Sequence, residues 1–349
     1  MDASQLVRLI FLTAITFAIA IAWTPLLTHV LYRLKIGKQI RSIKDAPIFS
    51  KLHAKKAGTP TMGGVLIWIT VLIVAVALLV AWTVAPDSFA GRLSFLTRSQ
   101  TLLPLGAFIA SALVGLVDDW MNVKKIGGNG GGLGLWHRSI VYTLIAFVGA
   151  WWFFFKLDWY VFHIPFVGDF SVGWWYIPIF ILIVASTAFS VNETDGLDGL
   201  AGGVLMTSFG AFGAIAFAQG RYDLAAFCAV IIGALLAFLW FNIYPARFFM
   251  GDTGAMALGV TLGVVAMLTN MALLLPIIGI VLVIESLSVI VQRVSKHLCG
   301  KKIFLSTPIH HHFEAKGWPE PKIVMRAWVI SIVASTLGIA LALLDVGVL

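Results

Sequence analysis

Five aspartates stand where apolar runs end: Asp118 and Asp119 in Gly-Leu-Val-Asp-Asp-Trp, Asp195 and Asp198 in Asn-Glu-Thr-Asp-Gly-Leu-Asp-Gly, and Asp252 in Phe-Met-Gly-Asp-Thr-Gly. Isolated carboxylates in several connections, without a His/Cys cage, suit Mg²⁺ better than Zn²⁺, because Mg²⁺ is held by one or two carboxylates plus phosphate oxygens and water. With the lysines and histidines of the same connections, they suit phosphoryl transfer, which needs a metal and cations on the phosphate oxygens and a positioned nucleophile.

Each motif also has a plainer role. Asp118 and Asp119 are adjacent, so on a helix they point about 100° apart. One would face a cleft while the other is solvated or paired, or both simply form a polar helix end. Asp195 and Asp198 share a face if they open the helix that follows, with Asn192, Thr194 and Gly196 supplying hydrogen bonds and tight turns. Asp252 sits between glycines at a helix start, as an N-cap or a Mg²⁺ ligand. Thr61 lies in Gly-Thr-Pro-Thr-Met-Gly-Gly behind Lys55 and Lys56, which reads as a helix start with proline in its first turn or as an anion-binding turn. His310, His311 and His312 are a metal-binding tract, a phosphate site or a proton relay. The stretch 127–134 holds six glycines and reads as a flexible loop, since no P-loop Lys-Ser/Thr follows it.

The elements that must carry these residues are membrane helices. Of 349 residues, 60% are hydrophobic and 11% charged, with mean hydropathy +0.97; soluble domains carry roughly 25% charged residues. Apolar runs of about 17–25 residues are long enough to cross a bilayer as helices and too long for alternating barrel strands. The expected fold is all-α: a polytopic membrane protein of about ten transmembrane helices in a single domain, 1–349. Spans are expected at 6–34, 63–85, 101–121, 139–155, 173–189, 200–219, 225–241, 255–271, 273–291 and 324–344, with the weakest boundary at Asn270 and Pro276.

Most of the 24 Lys and Arg fall in the connections that hold the aspartates. The positive-inside rule makes that face cytoplasmic and puts both termini outside. The net charge of +8 then describes a cytoplasmic surface suited to anionic lipid or an anionic substrate. The aromatic stretch 151–176 reads as an outer interfacial belt. Cys228 and Cys299 form no disulfide or metal pattern, and the N-terminus lacks the basic region and cleavage site of a signal peptide. Glu285 is the one carboxylate expected deep inside a span, pairing with a neighbouring helix or marking a kink.

The strings KAGTPTMGG, GLVDDW, NETDGLDGLAGG, FFMGDTGA and GKKIFLSTPIHHHFEAKGW resemble the phospho-N-acetylmuramoyl-pentapeptide transferases, a branch of the polyprenyl-phosphate N-acetylhexosamine-1-phosphate transferases. They span residues 51 to about 326 in the family's order. The resemblance implies a Mg²⁺-dependent transfer of phospho-N-acetylmuramoyl-pentapeptide from its UDP derivative to undecaprenyl phosphate, giving lipid I and UMP at the cell (inner) membrane. By motif, Asp252 and Asn192 would hold Mg²⁺. Asp118 and Asp119 would lie near the lipid phosphate, and Asn192, Asp195, Gly196 and Asp198 would line the nucleotide-sugar cleft. Lys56, Asn242 and Phe249 would hold the uridine, with Phe249 stacked on the base. Thr61, His310, His311 and His312 would contribute around the diphosphate and sugar. The implied partners are the two substrates, membrane lipid and a second copy of the chain as a homodimer, with no nucleic acid.

After its Asp-Asp pair the family has lysines, then a Gly-Leu segment followed by more Lys; here that stretch is glycine-expanded and Trp136, His137 and Arg138 stand where the further Lys would be, so Lys125 and Arg138 are the candidates for the lipid phosphate. The Asp45-Ala46-Pro47 segment also departs from the family pattern. Direct attack by the lipid phosphate and a two-step route through an aspartyl intermediate are both open, with direct attack favoured because the lipid phosphate is already an anion. The rival readings are a sister transferase for N-acetylglucosamine-1-phosphate, a transporter or flippase, which would carry ionisable groups near the midplane, and a membrane scaffold.

Overall fold

The computed structural model describes residues 3–34, 36–37, 53, 56–127 and 131–347. Lys55, the 45–47 segment and residues 128–130 of the glycine-rich stretch lie outside the described residues. Among the described residues, nine helices are long and apolar enough to cross a membrane, or ten if one bent pair counts as a span. The long helices are α1 Ala3–Arg33, α2 Val65–Val84, α4 Leu102–Val123, α5 Leu135–Lys156, α6 Tyr176–Thr194, α7 Leu200–Ala218, α8 Tyr222–Asn242, α9 Gly251–Leu268, α11 Ile280–Cys299 and α13 Glu320–Asp345. Three short α-helices are also found among the described residues: α3 Phe89–Arg92, α10 Leu275–Ile278 and α12 Ile309–Ala315. The protein is an all-α polytopic bundle, as its composition demands.

Helix α9 is the centre. It packs on α4 and α6, and every one of its residues is buried except Asp252. Being apolar all round, it is a core helix rather than an amphipathic one. Small residues let its neighbours come close, as at other membrane helix contacts. Gly115 of α4 lies against the backbone of Asp252 and Thr253 with no room for a Cβ. This contact brings the acidic end of α4 to the first turn of α9.

Several boundaries differ from expectation, and each difference moves a functional residue. Helix α6 runs on through Asn192 to Thr194, so Asp195 is its C-cap. Asp195 and Asp198 therefore do not open the following helix together: Gly199 adopts φ +81° and α7 starts only at Leu200. Helix α5 starts at Leu135, which puts Arg138 in its first turn rather than in a loop. Helix α4 continues to Val123, so Asp118 and Asp119 lie within its last turns. The expected ninth span is broken. Helices α10 and α11 meet at Gly279 at 83°, where the backbone (φ −95°, ψ 32°) leaves the helical region.

The aromatic stretch holds an unexpected hairpin, β1 Val161–Ile164 antiparallel to β2 Gly168–Ser171, in register Phe162↔Phe170. His163 reaches Asp169 at 2.7 Å and Asp345, at the end of α13, at 2.6 Å. Arg8 near the start of α1 pairs with Asp223 at the start of α8 at 2.9 Å. The start of α1 and the end of α13 thus sit at the end of the bundle opposite the acidic motifs. Trp174 and Trp175 are exposed there, as an interfacial belt requires.

Candidate active site

The first turn of α9 gathers three of the five aspartates. Gly251 holds φ +74°, a left-handed conformation open to glycine, and a Cβ there would press on the Asp119 carboxylate and the Thr61 hydroxyl. Asp119 reaches across from α4 and accepts the Thr253 backbone N–H at 3.0 Å. A helix N-terminus leaves such N–H groups unpaired and favours negative charge, so Asp119 caps α9 from a neighbouring helix. The Thr61 hydroxyl donates to its other oxygen at 3.4 Å. Asp118 is fully buried; it accepts the Leu133 backbone N–H, which folds the end of the glycine-rich stretch over it. Of the alternatives for this pair, solvated or paired, the structure has both aspartates paired, because α4 runs a turn past them and Thr253 and Leu133 cover them.

Arg138 joins the set. Its Nη2 lies 2.8 Å from Asp118 Oδ2 and donates to Asp252 Oδ2 at 2.7 Å, and its Nη1 donates to Asn192 Oδ1 at 3.0 Å. Asn192 in turn donates from Nδ2 to Asp252 Oδ1 at 2.5 Å. Lys125, the other basic candidate, is exposed with φ +57°, and among the described contacts none ties it to these carboxylates. Two carboxylates therefore meet one guanidinium, with Asp119 next to them on α4. Unbalanced charge taken out of water is costly, and a cation would relieve it. Asp118 Oδ2 is buried and accepts no hydrogen bond despite its nearness to Arg138. The donors here are oxygens, with neither sulfur nor imidazole among them, which fits a hard ion such as Mg²⁺.

A second cluster lies a few residues before Asp252. Lys56 Nζ bridges Asp198 Oδ1 at 2.6 Å and Glu320 Oε1 at 2.5 Å. It stands 5.8 Å from the Phe249 ring centre and 5.9 Å from that of Tyr244. Glu320 also accepts the Asp198 N–H at 2.7 Å, and Asp198 Oδ2 accepts the Ala246 N–H at 3.0 Å. The turn before α7 and the start of α13 thus close on one lysine. Asn242 is buried. Its amide accepts from Gly199 N and donates to Phe248 O, both at 2.9 Å, fixing the two turns that carry Asp198 and Phe249. Phe249 is half-buried, and so is Asp195 at the end of α6.

Helix α12 brings in the histidines. His310 is buried and meets Glu285 of α11 at 2.8 Å through Nδ1. Its Nε2 has no hydrogen-bond partner and points at Gly196. Burial lowers its pKa, but the charge and hydrogen bond of Glu285 outweigh that and raise it above the usual imidazole value. Glu285 thus pairs with a neighbouring element just beyond the break in the ninth span. His311 Nδ1 is 2.6 Å from Glu314, and burial together with His310 holds its pKa down to about 3. His312 is half-buried and accepts the Leu305 N–H at 3.1 Å.

Asp118, Asp119, Asn192, Asp252 and Thr61 meet at one point, and Lys56, Asp198 and Phe249 at another. That Arg138 rather than Lys125 reaches the carboxylates, and that Glu320 reaches Lys56, is not visible from local spacing. Each acts across helices, and Glu320, behind Trp318-Pro319, reads in sequence as an ordinary first-turn acid.

Comparison with known proteins places the chain among named relatives. The family model described as Glycosyl transferase family 4 matches residues 101–270, and the phospho-N-acetylmuramoyl-pentapeptide-transferase signature 1 matches residues 56–67. Proteins named phospho-N-acetylmuramoyl-pentapeptide-transferase are 38% identical to this chain. That of Chloroflexus aggregans aligns over 97% of this chain and 91% of its own length. That of Geobacillus thermodenitrificans aligns over 93% and 95%, and that of Clostridium kluyveri over 95% and 98%.

Proposed function

The chain belongs to the phospho-N-acetylmuramoyl-pentapeptide-transferase family, and from that premise we propose that it moves phospho-N-acetylmuramoyl-pentapeptide from its UDP derivative to undecaprenyl phosphate, releasing UMP and forming lipid I. The observation that carries this reading is the convergence of Asp118, Asp119, Asp252, Asn192 and Arg138 at the first turn of α9, beside the Lys56–Asp198–Phe249 cluster.

The chain order supports the placement of the nucleotide sugar. Phe249 and Asp252 are three residues apart, so a uracil stacked on Phe249, with its polar edge at Lys56 and Asp198, brings its diphosphate toward Asp252. Asn242 would act by fixing the turns around the base. Asp195 and Gly196 would line the sugar side, where His310, His311 and His312 approach from α12. His310 would donate from Nε2 to an anionic oxygen, with Glu285 keeping it protonated.

Asp252 and the Asn192 side-chain oxygen would hold Mg²⁺, which when bound neutralises diphosphate oxygens and polarises the phosphorus. Arg138 is positioned to share its guanidinium with the incoming lipid phosphate, and Lys125 at the rim would add charge along its approach. A lipid phosphate oxygen attacks the β-phosphorus, the new P–O bond forms, and the bond to the bridging oxygen breaks; that oxygen leaves with the electron pair on UMP. Asp118 and Asp119 are tied by backbone N–H groups, which favours positioning and charge over a nucleophilic role and so supports direct attack.

The carboxylates gather at one end of the bundle. We place that end at the cytoplasmic face of the cell membrane, with both termini outside and the chain acting as a homodimer.

Purified protein supplied with both substrates and Mg²⁺ tests the proposal. UMP release that requires the lipid phosphate and stops with EDTA supports it. Release from UDP-N-acetylglucosamine but not from the muramoyl-pentapeptide nucleotide would move the protein to the sister reaction, and release from neither by folded protein would end the transferase reading.

A further inference from the structure

The three consecutive histidines do not act as one tract. Adjacent residues on a helix point about 100° apart, so α12 aims His310 at Glu285, His312 at the Leu305 N–H, and His311 elsewhere. His311 Nδ1 and His53 Nε2 both meet a single oxygen of Glu314, at 2.6 and 3.1 Å. His311 and Glu314 stand one turn apart on α12 and His53 comes from far earlier in the chain; His311, Glu314 and His53 are 9%, 8% and 4% exposed. Their ligating atoms lie within 4.8 Å of one another.

We propose that His53, His311 and Glu314 form a second metal site, for a borderline divalent ion of the Zn²⁺ class, separate from the all-oxygen cluster at Asp252. Two imidazoles and a carboxylate are a donor set that Zn²⁺ favours and Mg²⁺ does not. Around an ion about 2.0–2.2 Å from each donor, neighbouring ligands sit about 3.3 Å apart; His53 is already near that at 3.1 Å from Glu314, and His311, at 2.6 Å, would move outward by a fraction of an ångström. Coordination needs no net proton release from neutral rings: each imidazole moves its proton to the other nitrogen and gives its lone pair to the ion. His311 would bind through Nδ1 and keep Nε2–H turned outward as a donor, the usual way such a ring is oriented. A fourth position stays open to water. The ion would fasten the first connection to α12. It would thereby steady Lys56, three residues past His53, against Asp198. The site shares α12 and the Lys56 segment with the transferase reading, but its test does not use the transferase reaction.

Protein purified without a polyhistidine tag is stripped with a chelator and reloaded with Zn²⁺ under excess Mg²⁺, and its metal content is measured. Co²⁺ is titrated in parallel and its visible d–d absorption recorded. The expected result is about one Zn²⁺ per chain in the wild type and in Asp252→Asn, lost in Glu314→Gln and in His53→Ala. The Co²⁺ spectrum should lack a thiolate charge-transfer band, which excludes the exposed Cys299. A wild type that retains no Zn²⁺ and gives no Co²⁺ spectrum overturns the site, even if a variant fails to fold. So does Zn²⁺ retained by both Glu314→Gln and His53→Ala.

Discussion

Arg138 Nη2 donates to Asp252 Oδ2 at 2.7 Å, joining the first turn of α5 to the one residue of α9 that is not buried. The same nitrogen lies 2.8 Å from Asp118, so one guanidinium serves two carboxylates. Arg138→Met should leave both without a cation and lower kcat on the order of 10²-fold, the scale of removing one electrostatic donor from an active site. Arg138→Lys should recover only part of this, because an ammonium cannot hold the fork that reaches Asp118, Asp252 and Asn192 together. Steady-state rates of the two variants check the order wild type, Lys, Met.

Phe249→Leu should act on binding rather than on chemistry. Stacking a base on an aromatic ring is worth about 1–3 kcal/mol, so KM for the nucleotide sugar should rise roughly 10–100-fold while kcat stays within a few-fold. A fall in kcat at unchanged KM would place Phe249 elsewhere.

Glu285→Gln should shift a pH profile. Burial opposes protonation of His310, but Glu285 more than offsets it, so the folded pKa lies above the ordinary 6.5 and the ring keeps its charge to higher pH than a free imidazole. Activity that needs this charge is lost as pH rises through the raised pKa. Removing the Glu285 charge should move that alkaline limb to lower pH, measured as kcat/KM across pH 6 to 9.

At the far end of the bundle, burial works against protonation of His163, but Asp169 and Asp345 raise its pKa above 6.5. A raised folded pKa means the stabilisation is full below 6.5 and fades as pH climbs through the folded value. Asp169 is mostly exposed, which limits its share to about 1 kcal/mol or less; the Asp345 side chain is buried. The Tm of the wild type should fall from pH 6 to 9 by more than that of His163→Asn. The two rates of transfer should match, since the hairpin lies opposite the carboxylates.

How much was legible in the chain follows from the range of each interaction. The acidic motifs stand out because two or three chemically loaded residues sit together between apolar runs, and the runs themselves fix the helices. The partners of those residues are set by packing between distant segments. Lys125 and Arg138 look equivalent in sequence, and only the early start of α5 separates them. Glu320 and His53 carry no local pattern and matter because they arrive at Lys56 and His311 from far along the chain. The break at Gly279 is hidden in an unbroken apolar run. The hairpin at 161–171 is hidden because aromatic residues suit an interfacial belt as well as a strand.

The central claim is that the carboxylates at the first turn of α9 perform a Mg²⁺-dependent sugar-phosphate transfer. The most direct measurement is UMP release by wild type and Asp252→Asn side by side, at saturating concentrations of both substrates and Mg²⁺, with both proteins shown folded by equal Tm. The account predicts that the variant loses at least about 10²-fold in kcat. A variant that releases UMP at the wild-type rate would contradict it.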